Sequence, residues 1–171
     1  RGGGSACTTC LPVQTFKTNY ALSTANEVTD EVGGADPSSE DSGAGAIAGS
    51  QSIATVQIAN EGAVGLDFGF NFNTIVNTNE NGQGSLEQFI VNTNNLDETG
   101  LDIVANGIFD PAAGEDISIF MIPPSGDPFG RTADANFTSG YFDIDISNAN
   151  PLSTITGSNT IIDGRTQTAY S

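Results

Sequence analysis

The chain has 171 residues, enough for one ordinary domain or two small ones, and it is strongly acidic. Twenty-one Asp and Glu residues against four Lys and Arg residues give a formal net charge of −17. Phosphate binding needs clustered basic residues, so this balance excludes nucleic acid as a partner and disfavours anionic membranes. It suits either a surface solvated in salt or at the cell exterior, or one that binds Ca²⁺.

Residues 1–10 form a Gly-rich arm that contains both cysteines, Cys7 and Cys10. With no His and no further Cys, one chain lacks the ligands for a zinc site, and no βαβ pattern indicates thioredoxin-like chemistry. We therefore predict that the two cysteines are oxidised, to each other or to a neighbouring chain, in an oxidising compartment. The chain starts at Arg1, and its longest apolar run lies within 117–122. We expect a mature secreted chain, or part of one, without membrane insertion.

Residues 11–22 can form a strand, in which Val13, Phe16 and Tyr20 supply the apolar side chains. The polar, acidic stretch 23–50 is predicted to be a long loop. Its carboxylates do not have the spacing of an EF-hand loop, so they are either simply solvated or ligands of Ca²⁺. The candidate ligands are Asp30, Asp36, Glu40 and Asp41.

Two further strands are predicted at 51–60 and 64–72, joined by a turn at Glu61-Gly62. In the second strand Val, Leu and Phe alternate strictly with Gly, Asp and Asn, as in a strand with one buried face. The alternation slips at Thr74-Ile75, where the strand changes register. About three strands before this point are fewer than the roughly seven of a sandwich, so this part must pack on the C-terminal half of the chain or borrow a strand.

The segment after the slip carries the start signal of a helix. Ser85 and Gln88 have the S-x-x-Q spacing of a capping box. Leu86, Phe89 and Ile90 then fall on one apolar stripe. We expect a short helix, ending near residue 93, whose apolar face covers a core.

The rest of the chain is predicted to consist of short strands over 101–109, 116–122, 140–147, 153–157 and 159–164. Similar strand-and-turn units recur about every 20 residues, which favours solenoid coils over a meander of hairpins. Asn136-Phe137-Thr138 is an N-x-[ST] sequon, so Asn136 is a glycosylation candidate if the producer modifies secreted proteins.

Two stretches, "DFGFNFNTIVNTNENGQGSLEQFIVNTN" and "NPLSTITGSNTIIDG", resemble the Asn-rich, "GSLRQAI"-type β-helix proteins of bacterial surfaces and secretions. These often carry a small β-sandwich module of the SdrD-B or carboxypeptidase-regulatory-like kind before the β-helix. The likeness covers roughly residues 64–97 and 141–166. It implies that the first stretch supplies a first strand and a capping helix of a right-handed parallel β-helix, and that the second forms an early coil. It also implies that the slip at Thr74-Ile75 turns the side chains toward a second core, which the helix caps. The sequence departs from the family at Glu87, often basic there, and at Ser171, beyond which members continue for many coils.

The predicted fold class is therefore all-β: a small sandwich-like N-terminal part, then a short helix-capped β-helix-like part. The expected organisation is a flexible arm over 1–10, a small β-sheet module over 11–73, and the capped module over 74–171.

Catalysis is not expected. Without His, Ser-His-Asp and Cys-His arrangements are excluded, and no Gly-rich stretch has P-loop or dinucleotide spacing. Some β-helix relatives are polysaccharide lyases or hydrolases, and Asp143, Asp145 or Asp163 beside Arg131 or Arg165 could serve such chemistry. One or two coils offer almost no substrate groove, and fold alone does not give function.

Two functions that need no catalysis remain. The first is an extracellular structural protein whose partners are copies of itself, joined head-to-tail into a fibre or sheath. In that hypothesis the strand at 11–20 is spare and inserts into the next subunit through Val13, Phe16 and Tyr20. The second is an adhesin fragment that binds carbohydrate, for which an exposed aromatic or Asp/Asn cluster is expected.

Overall fold

The computed structural model describes residues 7–18, 31–33, 68–96, 98, 100–102, 110–127 and 132–167. This part is mainly β, with small sheets, one short helix and no closed barrel. Its strands are β1 (Val13–Thr18), β2 (Glu31–Gly33), β3 (Phe68–Asn71), β4 (Thr74–Ile75), β5 (Asp116–Ile117), β6 (Ile119–Phe120), β7 (Phe137–Thr138), β8 (Tyr141–Phe142) and β9 (Thr160–Ile161), and its helix is α1 (Leu86–Asn95).

The first sheet has the order β2-β1-β3, with both pairs antiparallel. The predicted strand near 11–22 is thus present as β1, but the idea that it is spare within the chain is wrong. It is the central strand, and its buried Val13 lies beside Asn71 of β3. The reason is β2, which lies inside the stretch 23–50 that the sequence predicted to be a loop. Together β2 and β3 occupy both edges of β1.

The slip in the Phe-rich strand marks a change of sheet. After β3 the chain bends at 72–73, where Asn73 N donates to Asn71 Oδ1 (2.6 Å). Asn73 Nδ2 then donates to Asp116 Oδ1 (3.0 Å) and to the Ile117 carbonyl oxygen (3.1 Å). Both residues of β4 are buried. The register change therefore moves the chain from the antiparallel sheet into a second core, as predicted.

The second core is built on parallel pairs. Thr74 of β4 pairs with Ile119 of β6, 45 positions further along the chain. Asp116 of β5 pairs with Thr160 of β9, 44 positions further along. The parallel partners are therefore 44 or 45 residues apart, not the roughly 20 residues predicted for the repeating units.

The middle segment, residues 116–122, is hydrogen-bonded along both edges. On one edge Ile119 N and Met121 N donate to the carbonyls of residues 73 and 75. On the other edge Asp116 N and Ser118 N donate to the carbonyls of residues 159 and 161. Side chains then continue that edge, since Phe120 N donates to Thr166 Oγ1 and Gln167 bonds both the N–H and the carbonyl of Ile122. Residues 73–75, 116–122 and 159–167 thus form three stacked levels.

Helix α1 covers this stack at the β4 level. Ser85 is its N-cap, and Phe89 and Ile90 are each 1% exposed in a core with Ile75 and Phe120. The helix extends to Asn95, two residues beyond the prediction, and Leu96 N closes it by donating to the Asn92 carbonyl. The predicted apolar stripe therefore faces the predicted core.

Two of the predicted strands are mostly absent from the described part of the chain. Only Tyr141–Phe142 of the stretch 140–147 is a strand, and it forms an antiparallel hairpin with β7 rather than a coil. In this hairpin the rings of Phe137 and Phe142 lie 4.9 Å apart. Residues 153–157 make no ladder. The predicted strand at 51–60 and most of 101–109 lie outside the described residues.

Candidate functional site

A densely bonded polar site in the described part of the chain joins the N-terminal arm to α1. The arm here means residues 7–12, which precede β1. Three carboxamide side chains hold its backbone, and we call them the clamp: Gln83, Gln88 and Asn92. Gln88 Nε2 donates to the Thr9 carbonyl (2.9 Å), and Gln83 Nε2 donates to the Pro12 carbonyl (2.6 Å).

Asn92 is the centre of the clamp and is 2% exposed. Its Oδ1 accepts from Leu11 N (3.1 Å) and from Gln88 Nε2 (2.9 Å). Its Nδ2 donates to the Leu11 carbonyl (3.1 Å) and to the Phe72 carbonyl (2.7 Å). Two donor hydrogens and two acceptor lone pairs are thus all used. Toward Leu11 this amide takes both the N–H and the carbonyl, as a neighbouring strand would.

Gln88 plays a different role from the one predicted. Ser85 Oγ accepts from Gln88 N (3.1 Å), so the serine half of the capping box is present. The reciprocal half is absent, because Ser85 N donates to the Gly82 carbonyl and the Gln88 side chain points to Thr9 and Asn92. The turn before the helix already satisfies the cap N–H, which frees the Gln88 amide for the arm.

The predicted disulfide is present and joins the two cysteines of one chain. Cys7 and Cys10 are bridged with a Cα–Cα distance of 5.4 Å. Thr9, whose carbonyl Gln88 holds, lies inside the small loop that this bond closes. From Cys7 onward the arm is thus bonded both by its own disulfide and by α1.

A second set of polar contacts binds residues 147–157 to the turn before α1 and to α1 itself. Glu87 Oε2 and Oε1 accept from Ser153 N (2.8 Å) and Oγ (2.6 Å), which is the role of the acid that departs from the family pattern. Asn94 Oδ1 accepts from Thr156 N and Gly157 N. These side-chain bonds replace the strand ladder predicted at 153–157.

Glu80 holds the start of the same segment. Its carboxylate accepts from Ser147 N (2.8 Å) and Asn150 Nδ2 (3.0 Å). Hydrogen bonds from Ser147 and then Asn150 favour the charged form and keep the pKa of Glu80 below its ordinary value.

We expect the Glu80 contact to be lost in acid. A lowered pKa means that the contribution of the carboxylate is fully present above the ordinary carboxyl range, about pH 4, and is lost as pH falls through the lowered value. Amide exchange at Ser147 should therefore rise on acidification once the intrinsic pH dependence is removed. Glu80→Gln, which keeps an acceptor oxygen, should abolish that extra rise. An equal rise in both proteins would contradict the assignment.

The other predicted site residues either lie outside the described part of the chain or have separate surroundings within it. Tyr20 and all four proposed Ca²⁺ ligands, Asp30, Asp36, Glu40 and Asp41, lie outside the described residues. Phe16 lies in β1, opposite Gly33 and Gly69. Asn136 is exposed, and its Nδ2 donates to Thr78 Oγ1 (2.9 Å). Within the described ranges no three Asp, Glu, His or Cys side chains are grouped to hold a metal ion.

The carboxylates considered for sugar chemistry are not collected into one described pocket. Asp143 and Asp145 are exposed, and Arg131 lies outside the described residues. Asp163 accepts from the guanidinium of Arg165 (2.6 Å), which lowers the pKa of this acid and raises that of the arginine. Among the helices of the described chain, none is long and apolar enough to span a bilayer.

Comparisons with known proteins add nothing to this geometry: no protein-family model, curated protein or solved structure matches the chain. The clamp was the feature that the sequence analysis missed. Gln88 and Asn92 are four residues apart and so share one face of the helix, beside the apolar stripe. Polar residues next to a buried stripe are the signal that could have indicated them.

Proposed function

We propose that this chain is an extracellular structural subunit that polymerises head-to-tail by exchanging its arm and β1 with the next copy. The observation that carries the proposal is the way β1 is held. It lies between β2 and β3, and the clamp side chains that fix the arm lie 71 to 81 positions away along the chain. Contacts between such distant residues can form just as well between two chains.

The connection between β1 and β2 is the segment that would cross between two copies in such an exchange. Residues 19–30 number twelve, and extended chain of that length spans up to about 40 Å. The β1 of one copy could then fill the place between β2 and β3 of another, with the same hydrogen bonds as in the single chain. The donated strand and the accepting sheet are different surfaces, so the contact is heterologous; it need not close and can therefore propagate as a filament.

The finer architecture in this proposal is the capped start of a right-handed parallel β-helix over residues 74–167. Support comes from the three stacked levels and from α1, which covers the first of them. The chain directly after β4 is also hydrogen-bonded, because Val76 N and Asn77 N donate to the Gly84 carbonyl in the turn before the helix. This agrees with the family resemblance, in which a helix covers the end of the first coil.

The extracellular setting rests on the disulfide and the charge. A disulfide persists in an oxidising compartment. Copies with a net charge of −17 repel one another when packed side by side, so salt or Ca²⁺ should favour the polymer. The acids at 30, 36, 40 and 41 remain the proposed Ca²⁺ ligands.

Cross-strand cysteines test the exchange directly. Gln14 of β1 is opposite Phe70 of β3, and directly opposed residues of antiparallel strands can be bridged by a disulfide. We expect the chain with Gln14→Cys and Phe70→Cys, oxidised under assembly conditions, to give a covalent ladder on non-reducing gels. The bridge would then join successive copies.

Two controls accompany this test. Phe70→Cys alone can form dimers at most while the Cys7–Cys10 bond stays intact, and the unaltered chain shows whether Cys7 and Cys10 contribute to the ladder. If the double variant is bridged only within single chains while filaments form, strand exchange is wrong. If no filaments form at any salt concentration, polymerisation itself is wrong.

A further inference from the structure

The disulfide loop and the clamp meet at one residue of the arm, Thr9. The bond between Cys7 and Cys10 closes a loop that contains Thr9, and Gln88 holds the Thr9 carbonyl. The next held groups, Leu11 N and O, follow directly after the loop. Both cysteines are partly exposed, while Gln88 and Asn92 are buried. A small reagent can therefore reach the disulfide, whereas the Gln88 and Asn92 side chains are shielded from it.

We propose that the Cys7–Cys10 disulfide is a redox-sensitive latch: oxidised, it keeps the arm in the clamp, and reduced, it lets the arm leave. The biological role of this latch rests on the proposed exchange of β1, whereas its effect on the arm does not. A closed loop restricts the conformations of Thr9, so less entropy is lost when its carbonyl meets Gln88. Opening the loop removes that advantage and weakens the neighbouring bonds to Asn92.

The chemical step is thiol–disulfide exchange with a dithiol. One thiolate of the dithiol attacks a sulfur of the bridge and forms a mixed disulfide, which releases one cysteine as a thiol. The second thiolate of the reagent then displaces the other cysteine. The protein gains two electrons and two protons, and the dithiol is oxidised to a cyclic disulfide. In the folded chain the outcome is two free thiols and an arm held by the clamp alone.

Hydrogen exchange at Leu11 N–H measures the latch in the full chain, without any need for polymers. Under conditions that keep the protein monomeric, dithiothreitol should speed exchange at this amide by about tenfold. The Cys7→Ser, Cys10→Ser double variant should exchange at the faster rate with or without dithiothreitol. Unchanged protection of Leu11 on reduction, with free thiols verified by mass, would overturn the latch.

A second variant tests whether Gln88 transmits the effect. Gln88→Met removes the bonds to Thr9 and to Asn92 at nearly constant volume, so the arm loses its link to the clamp at Thr9, and reduction should then accelerate Leu11 exchange much less than in the unaltered chain. An undiminished effect of reduction in Gln88→Met would show that the disulfide does not act through the clamp, which also overturns the proposal. If Leu11 responds as expected but mixed labelled copies never exchange β1, the latch is correct and the proposed polymerisation is not.

Discussion

Asn92→Asp is expected to lower the free energy of unfolding by about 3 kcal/mol and to release the arm. The substitution keeps the shape of the side chain and both acceptor contacts, to Leu11 N and Gln88 Nε2. It removes the two donor hydrogens, so a carboxylate would face the Leu11 and Phe72 carbonyls at hydrogen-bond distance. Because the residue is 2% exposed, water can compensate little of this loss.

Urea denaturation followed by circular dichroism measures the loss, and exchange at Leu11 N–H reports where it occurs. Asn95→Asp is the matched control. It adds the same charge one turn further along α1, but the side chain is exposed and bonds only the Val91 carbonyl among the contacts described. We expect the control to cost less than about 1 kcal/mol, mainly from a negative charge near a helix C-terminus. Equal losses in both variants would show that charge, rather than the clamp, is responsible.

Features that depend on neighbouring residues could be predicted from the sequence. The N-cap at Ser85, the stripe of Phe89 and Ile90, and the Cys7–Cys10 bond all depend on residues within a few positions of each other. The slip at Thr74-Ile75 was also readable, because a period of two fixes which face of a strand is buried. In these cases the residues within a few positions of one another are enough to determine the local structure.

Features that depend on distant residues could not be predicted. The pairing of β4 with β6 joins residues 45 positions apart, and one further interval of 44 positions, between β5 and β9, is too few for a period to be recognised in the sequence. β2 is only three residues long, too short to show an alternation within a polar stretch. The role of Asn92 was hidden for a related reason. Its partners are backbone groups of residues 11 and 72, and backbone groups have no signature in a sequence.

Gly84→Ala is expected to destabilise the capped end of the second core by about 3 kcal/mol. Gly84 has φ +79°, where a side chain is strained, and an added Cβ would lie 2.5 Å from Val76 Cγ2 and 3.0 Å from Asn77 Nδ2. The turn cannot simply move away, because the Gly84 carbonyl accepts from Val76 N and Ser85 starts the helix. Urea midpoints, with exchange at Val76 N–H as the local probe, measure the effect.

Gly126→Ala separates the two causes. Gly126 has nearly the same φ, +78°, but a Cβ there would meet nothing within 4 Å, so only the backbone strain of about 1 kcal/mol applies. The difference between the two variants is then the cost of forcing a methyl group between Val76 and the turn. A large difference would mean that the close packing of Gly84 on Val76, directly after β4, stabilises this end of the second core. Equal effects would mean that the turn relaxes freely, so that its close contact with Val76 is not what holds α1 over the core.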